Sequence, residues 1–314
     1  ADAIMIYTSG TTGPPKGVRH GHQVLLGYLP GIATSLFEFN IQDDDMVWAV
    51  PEWAWVGTLF GQILPSMFYG VPQVAHYADG PFDPERTFEV MDKHGVTRAF
   101  LPPTALRMMA QVDSPDERYD LTSMTTIASG GEPVGQDIVD WAAETFAGAS
   151  IHEAYGQTEH NPLIVGCTKL FEFREGKMGK PVIDKEVAIV DPETAEPLDA
   201  GEEGEIAVRY EGDPSHFKQY WRKPEKTEQK RKNGWHLTED LGVMDDDGYI
   251  AFRGRKDNVL MISGHRVGPE RAVWAVILRA AHRKDRNFRA RFFEIRPRQF
   301  AQFHIPVYVH PRPS

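Results

Sequence analysis

Short apolar runs alternate with helix-like segments along the first 160 residues, and that rhythm leaves few folds open to the chain. The runs are Ala3–Tyr7, Val47–Val50, Gln73–His76, Thr97–Leu101, Thr125–Ser129 and Ser150–Tyr155. Between them lie helix-like segments at His22–Phe37, Thr58–Tyr69, Pro84–His94, Thr104–Gln111 and Gly135–Phe146. Such alternation predicts an α/β fold with a largely parallel sheet covered by helices. In folds of this kind, sites sit in loops at the C-terminal ends of strands. From about Lys169 to Gly254 the pattern changes to short strands, Glu186–Val190, Gly204–Arg209 and Gly248–Phe252, between turn-rich loops. That spacing predicts an antiparallel β-subdomain. The expected division is therefore 1–168, 169–254 and a distinct segment 255–314.

Charge and cysteine content narrow the class. The 44 residues after Glu270 carry a net +8, whereas residues 1–270 carry −19. An acidic body argues against nucleic acid as a partner. The acidic triplets Asp43-Asp44-Asp45 and Asp245-Asp246-Asp247 read as solvated loops, as does the His20/His22 pair. The single cysteine, Cys167, cannot pair within the chain and points to a reducing, cytoplasmic setting. The most apolar stretch, Gly57 to Ala75, is broken by Gln62, Pro65, Ser66, Pro72 and Gln73, so no membrane span is expected.

The stretch YTSGTTGPPKG, Tyr7 to Gly17, follows the first apolar run. A strand, a Gly/Ser/Thr loop and a helix together can cradle phosphate. Gly10 and Gly13 let backbone N–H groups converge, and Thr8, Ser9, Thr11 and Thr12 add hydroxyl donors. Lys16 adds charge, and the following helix its N-terminal dipole. The Walker pattern does not fit, because Lys16 stands between Pro15 and Gly17. A flexible surface loop remains the alternative on composition alone.

Four further motifs follow: SGGEPV (Ser129–Val134), YGQTE (Tyr155–Glu159), TEDLG (Thr238–Gly242) and FRGRKDNVLMISGHRVGPE (Phe252–Glu270). In this order and spacing the five motifs resemble the adenylate-forming enzymes. That family includes AMP-forming acyl-CoA synthetases, luciferases and peptide-synthetase adenylation domains. The resemblance covers residues 1–270. It implies the large N-terminal domain of that fold, in part, as a helix-covered mixed sheet plus a β-barrel-like subdomain, with a truncated small C-terminal domain.

The resemblance also implies roles. Thr8 to Gly13 and Lys16 would hold the β- and γ-phosphates of ATP. Thr158 would bind phosphate and Glu159 would hold Mg²⁺, though both also suit a helix N-cap. Tyr155, with Gly156 and Gln157, would offer an aromatic face to the purine, and Gly131-Glu132-Pro133 would approach its other side. Asp240 and Arg255 would bind the ribose and Arg266 the AMP phosphate. Trp53, Trp55, Gly57 and Gly156 would line the acyl pocket, although the two tryptophans suit an ordinary core as well. Asp257 would be the hinge for a rotating small domain, and Met261–Gly268 would line a CoA tunnel.

The implied reaction joins a small carboxylic acid, ATP and CoA to give acyl-CoA, AMP and pyrophosphate. The carboxylate attacks the α-phosphorus to form an acyl-adenylate, and the CoA thiol then displaces AMP. Signals on chain length are mixed. Relatives that use acetate carry a tryptophan where Gly156 stands, which favours a medium-chain acid here, while SGHR (Ser263–Arg266) resembles the acetate enzymes.

The resemblance stops at Glu270. The family's catalytic lysine has no counterpart: Lys284, in HRKDRN, is the only lysine after Lys256 and stands in a different setting. A reading-frame shift near residue 270 is the expected origin, with a true basic tail as the alternative. Only six residues precede Tyr7, so a central piece of such an enzyme is expected. Two rival functions follow: a chain that binds nucleotide or acyl-adenylate without turnover, and an adenylating enzyme with a carrier-protein acceptor.

Overall fold

The computed structural model describes residues 1–8, 15–77 and 80–256, and the backbone of 260–262 and 265–267. The chain divides into two units, Ala1–Asp257 and Asn258–Ser314. In the first unit, β1 (Asp2–Thr8) and β2 (Lys16–Gly21) pair antiparallel, with Thr8 directly opposite Lys16. The expected strand–loop–helix unit is thus a hairpin. Pro14-Pro15 favours extended backbone over an immediate helix, and α1 begins only at Val24 (Val24–Ser35). A whole strand separates α1 from the loop, so its dipole drops out of the phosphate argument. The first strand also lies outside the parallel sheet.

The main sheet has seven strands. β3 (Val47–Ala49), β4 (Gln73–Val74), β5 (Arg98–Phe100), β6 (Thr126–Gly130) and β7 (Ser150–Gln157) run parallel in the order β4-β3-β5-β6-β7. β8 (His160–Val165) and β9 (Lys180–Pro181) then extend it antiparallel.

Helices cover both faces. On one face, α4 (Pro84–His94), α5 (Pro103–Met109) and α6 (Gln136–Thr145) bury Phe88, Met91, Leu106, Met109, Ile138 and Ala142 against Ala99, Leu101, Ile127 and Ile151. On the other, Ile32 and Leu36 meet Val47, Phe100 and Ala128. Each large apolar side chain buried this way contributes about 1.5–3 kcal/mol.

Local sequence explains where helices start and stop. Asp83 caps α4 by accepting from the Glu85 and Arg86 N–H groups, at 3.0 and 3.3 Å, with Pro84 in the first turn. Gly95, at φ 55°, closes its C-terminus in the left-handed region. The helix expected over Thr58–Tyr69 starts earlier, as α2 (Val56–Thr58), and passes through a π turn (Leu59–Ile63) before α3 (Leu64–Tyr69). Pro65 has no N–H for the Gly61 carbonyl and its ring crowds that group, which a wider turn relieves.

In the first acidic triplet Asp43 and Asp44 are exposed, but Asp45 is not solvated. Asp45 is 3% exposed and pairs with Arg98 at 2.9 Å. Arg98 also donates to the Leu36 and Asn40 carbonyls, tying β5 to the end of α1.

The antiparallel sheet begins later than expected, because Lys180–Pro181 still belongs to the large sheet. It comprises β10 (Val187–Val190), β11 (Glu203–Arg209), β13 (Arg231–Lys232), β14 (Trp235–Met244) and β15 (Ile250–Arg255). Between β11 and β13, β12 (Gln219–Tyr220) leaves to pair with β2, and α7 (Pro224–Gln229) follows. In the second unit the described backbone is one hairpin, β16 (Leu260–Ile262) with β17 (His265–Val267). No helix among the described residues is long and apolar enough to cross a membrane.

Candidate active site

β7 sits at the centre of the site. Its side chains alternate between two faces, and a cavity lies against each. Glu153, Tyr155 and Gln157 share one parity, and Ala154 and Gly156 the other. Parallel pairing with β6 brings the SGGEPV turn alongside, and Gly130 is needed there: a Cβ would meet the Ala154 carbonyl oxygen at 2.4 Å. Gly131 turns the chain at φ 97°, a conformation open chiefly to glycine.

The first cavity, about 390 Å³, is walled by Gly131, Glu132 and Pro133 on one side and Tyr155, Asp240 and Arg255 on the other. Asp240 lies on β14, 5% exposed. It accepts from the Tyr155 hydroxyl at 2.7 Å, from Gln157 Nε2 at 2.9 Å and from Arg255 Nη1 at 3.1 Å. Gln157 Nε2 also donates to the Thr238 carbonyl at 2.6 Å, pinning β7 to β14. Burial holds the Asp240 carboxyl above its ordinary pKa, against the opposing pull of Arg255. The Glu132 carboxylate accepts from Thr104 and Arg107.

The second cavity, about 220 Å³, is lined by Trp55, Val56, Gly57, Phe100, Gly156 and Thr158 among others. It shares Gly130, Gly131, Ala154, Gly156 and Gln157 with the first, so the two cavities adjoin across β7. The Trp55 ring packs on Phe100 at 5.4 Å and lies over Gly57, where a Cβ would meet it at 2.7 Å. Trp53 stands apart, 48% exposed and outside this lining. Gly156 is tight: a Cβ would lie 2.6 Å from Asn161 Oδ1.

The strand ends at Gln157, and Thr158 and Glu159 occupy the turn into β8. Glu159 is 8% exposed and its Oε1 accepts the Tyr220 hydroxyl. Lys16 stands with its ammonium 5.1 Å from the Tyr220 ring centroid. Burial lowers the Lys16 pKa, and the nearby Glu159 charge opposes that shift. Thus β12, a two-residue strand, brings Tyr220 between the first hairpin and the YGQTE turn.

His20 is not solvated. It is fully buried, and its Nε2 donates to the Thr158 carbonyl at 2.9 Å. Glu159 and the Thr158 hydroxyl are hard oxygen donors. No group of three or more potential ligands is assembled among the described residues. That set fits Mg²⁺, which binds through one or two carboxylates and otherwise through substrate phosphate and water.

Of the residues expected at the site, Gly131, Glu132, Pro133, Tyr155, Gly156, Gln157, Asp240 and Arg255 converge on the first cavity, and Trp55, Gly57, Gly156 and Thr158 on the second. Thr8 and Lys16 flank the loop. Ser9, Gly10, Thr11, Thr12 and Gly13, the proposed hinge Asp257, and the basic tail with Lys284 lie outside the described residues. Arg266 lies in β17 opposite Met261.

The sequence reading missed Glu153, which accepts from the Val134 N–H at 2.8 Å and lines the first cavity. Burial pushes its carboxyl up to about 7. Its parity with Tyr155 and Gln157 along the strand was the available signal. Tyr220 carried none, since only tertiary pairing brings it there.

A mixed sheet covered by helices, joined to an antiparallel sheet across a nucleoside-sized cavity, defines the class of adenylate-forming folds. The sequence profile of the AMP-binding enzyme family matches residues 2–221, and the chain belongs to that family. It is 34% identical to acetyl-coenzyme A synthetase of Bacillus subtilis over 269 residues, covering 85% of this chain and 46% of that protein. Against the mitochondrial acyl-coenzyme A synthetase ACSM4 of Rattus norvegicus, identity is 33% over 267 residues, covering 84% and 44%.

Among solved structures, the acyl-CoA synthetase of Brucella canis superposes with a TM-score of 0.71 at 28% identity, over 85% of this chain and 47% of that one. ATP-bound MatB of Rhodopseudomonas palustris does so with 0.73 at 27%, over 85% and 50%. The chain spans about half the length of the proteins it matches.

Proposed function

We propose that the chain carries the adenylate site of an AMP-forming acid–CoA ligase. The observation that carries this reading is the pair of adjoining cavities on the two faces of β7. In the first, the nucleoside lies with its base between Tyr155 and the Gly131–Pro133 turn and its ribose on Asp240 and Arg255. In the second, an acyl chain lies against Trp55, Gly57 and Gly156, with its carboxylate beside Gly156 and Thr158. The loop after Thr8, with Lys16, receives the outer phosphates. Glu159 and Thr158 would hold Mg²⁺, which supplies charge neutralisation at the phosphates.

The chain itself orients the acid and the nucleotide so that the carboxylate faces the α-phosphorus. Kinship with the synthetases supports CoA as acceptor, and the single cysteine supports a cytoplasmic setting. The apolar second cavity supports an acid longer than acetate, since each buried CH₂ adds about 0.8 kcal/mol.

The test is calorimetric titration with a non-hydrolysable medium-chain acyl-AMP analogue, with Asp240→Ala as control. Saturable binding that the control abolishes supports the site, and a folded chain that ignores the analogue overturns it. Exchange of labelled pyrophosphate into ATP then separates the ligase from the binding-only chain.

A further inference from the structure

One buried cation at this site has no role in the reading above. Lys230 follows α7 and is 7% exposed. A lysine that buried needs an anion beside it, and Glu239 Oε2 lies 2.9 Å from its Nζ. Glu239 precedes Asp240 and adopts φ 63°, a left-handed conformation uncommon for a non-glycine residue. Regular strand alternation would send neighbouring side chains to opposite faces. Here the carboxylates of Glu239 and Asp240 meet the same guanidinium: Arg255 Nη2 to Glu239 Oε2 at 3.3 Å, and Nη1 to Asp240 Oδ1 at 3.1 Å. One oxygen, Glu239 Oε2, therefore holds both Arg255 and Lys230.

The position of Lys230 gives this pairing its meaning. Sharing Glu239 Oε2 with Arg255, whose Nη1 holds Asp240, places the Lys230 ammonium one carboxylate away from the ribose aspartate, and its charge also bears on Lys16. Asp240 and Lys16 mark the two ends of the interval that the proposed nucleotide covers. A nucleotide with its ribose on Asp240 and its outer phosphates at Lys16 has to span that interval. To an ammonium group, carboxylate and phosphate oxygens are equivalent partners. The Glu239 side chain is 44% exposed, so its carboxylate can turn to water when a phosphate takes its place.

We propose that Lys230 is a ligand of the nucleotide phosphate, kept in position by Glu239 in the free protein and handed to the phosphate when nucleotide binds. This inference rests on the nucleotide-binding reading above.

The experiment measures dissociation constants of the full chain for adenosine, AMP and ATP in the wild type, Lys230→Gln, Lys230→Arg and Glu239→Gln. The expected result is that Lys230→Gln weakens AMP and ATP about tenfold relative to adenosine, a loss typical of one charge-assisted bond. Lys230→Arg retains most of the phosphate preference, and Glu239→Gln strengthens it, because the competing carboxylate charge is gone. A structural ion pair alone would lower the unfolding temperature in Lys230→Gln and Glu239→Gln and leave the ATP-to-adenosine ratio at the wild-type value, and that outcome overturns the proposal.

Should Lys230→Gln fail to fold, Glu239→Gln decides by the same ratio. A wild type that binds ATP with unchanged ratios in the variants removes Lys230 alone from the site. A wild type that binds neither adenosine nor ATP overturns the nucleotide reading, and this inference with it.

Discussion

The Tyr155 hydroxyl donates to Asp240 across 2.7 Å, joining β7 of the mixed sheet to β14 of the antiparallel sheet. The bond fixes the ring against the first cavity and supports a carboxylate whose burial would otherwise favour its neutral form. Asp240→Ala should weaken AMP binding by about 1.5–3 kcal/mol, the range for hydrogen bonds to a charged group. Tyr155→Phe removes a bond that lowers the Asp240 pKa. Its AMP affinity should therefore fall more than the wild type's as pH drops from 8 towards 5, because ribose recognition needs the ionised carboxylate. Titration calorimetry at both pH values reads this, and parallel pH profiles in the two proteins would refute it.

Gly156 stands where a side chain would strike Asn161. Gly156→Ala should destabilise the fold by about 1–3 kcal/mol, the usual cost of overpacking. It should also weaken an acyl-AMP analogue more than AMP, because the residue borders the second cavity. Gly156→Trp can be accommodated only if the turn between β7 and β8 moves. Denaturant melts and paired titrations test both statements, and an unchanged midpoint in Gly156→Ala would show that the turn yields freely.

Asp45 and Arg98 form an ion pair in which both side chains are 3% exposed. Removing one partner leaves an uncompensated buried charge. Asp45→Ala should cost about 3–5 kcal/mol of stability, far more than loss of the surface pair Arg86–Glu89, worth about 0–1 kcal/mol. Urea unfolding of Asp45→Ala and Glu89→Ala gives the comparison directly, and equal losses would contradict it.

Acid should unfold this chain through its histidines. Burial holds His20 down to about 4 and His216 down to about 2, and lowers His152, His160 and His236 as well. In the unfolded chain these groups titrate near 6.5. Between pH 6.5 and the folded values the unfolded state binds more protons, so stability falls as pH drops through that window.

Each such histidine contributes at most about 1.4 kcal/mol per pH unit. Glu153 acts in the opposite sense: its folded value of about 7 lies above the ordinary 4.5, so its contribution is present below pH 4.5 and lost as pH rises through 7. Glu153→Gln should therefore steepen the loss of stability between pH 7 and 5. Urea midpoints across that range provide the check, and a flat profile in the wild type would count against the buried histidine cluster.

The five motifs, their order and the parallel strands were legible in the sequence because they are local. Glycines mark tight turns, short apolar runs mark strands, and strand periodicity puts Tyr155 and Gln157 on one face. The alternation of strands and helices also located α4, Pro84–His94, without any knowledge of contacts. The failures share one cause. Asp45 read as a solvated acid and His20 as a loop histidine, because local sequence does not reveal a partner more than fifty residues away. The first strand was assigned to the wrong sheet for a related reason: its hairpin partner β2 was not recognised as a strand, and the other neighbour of β2, β12, comes some two hundred residues later.

By itself, then, the amino-acid order determined which chemical groups the chain carries: hydroxyls and a lysine within one stretch, an aromatic ring and a carboxylate in separate motifs, and glycines among apolar residues. Tertiary structure alone decided which of those groups meet. Tyr220 reaches Glu159 and Lys16 because β12 pairs with β2. Lys230 reaches Glu239 because β13 and β14 pair as a hairpin and Glu239 takes a left-handed turn. The first of these meetings depends on long-range strand pairing, whose loop-closure entropy is offset only by the burial of the assembled core.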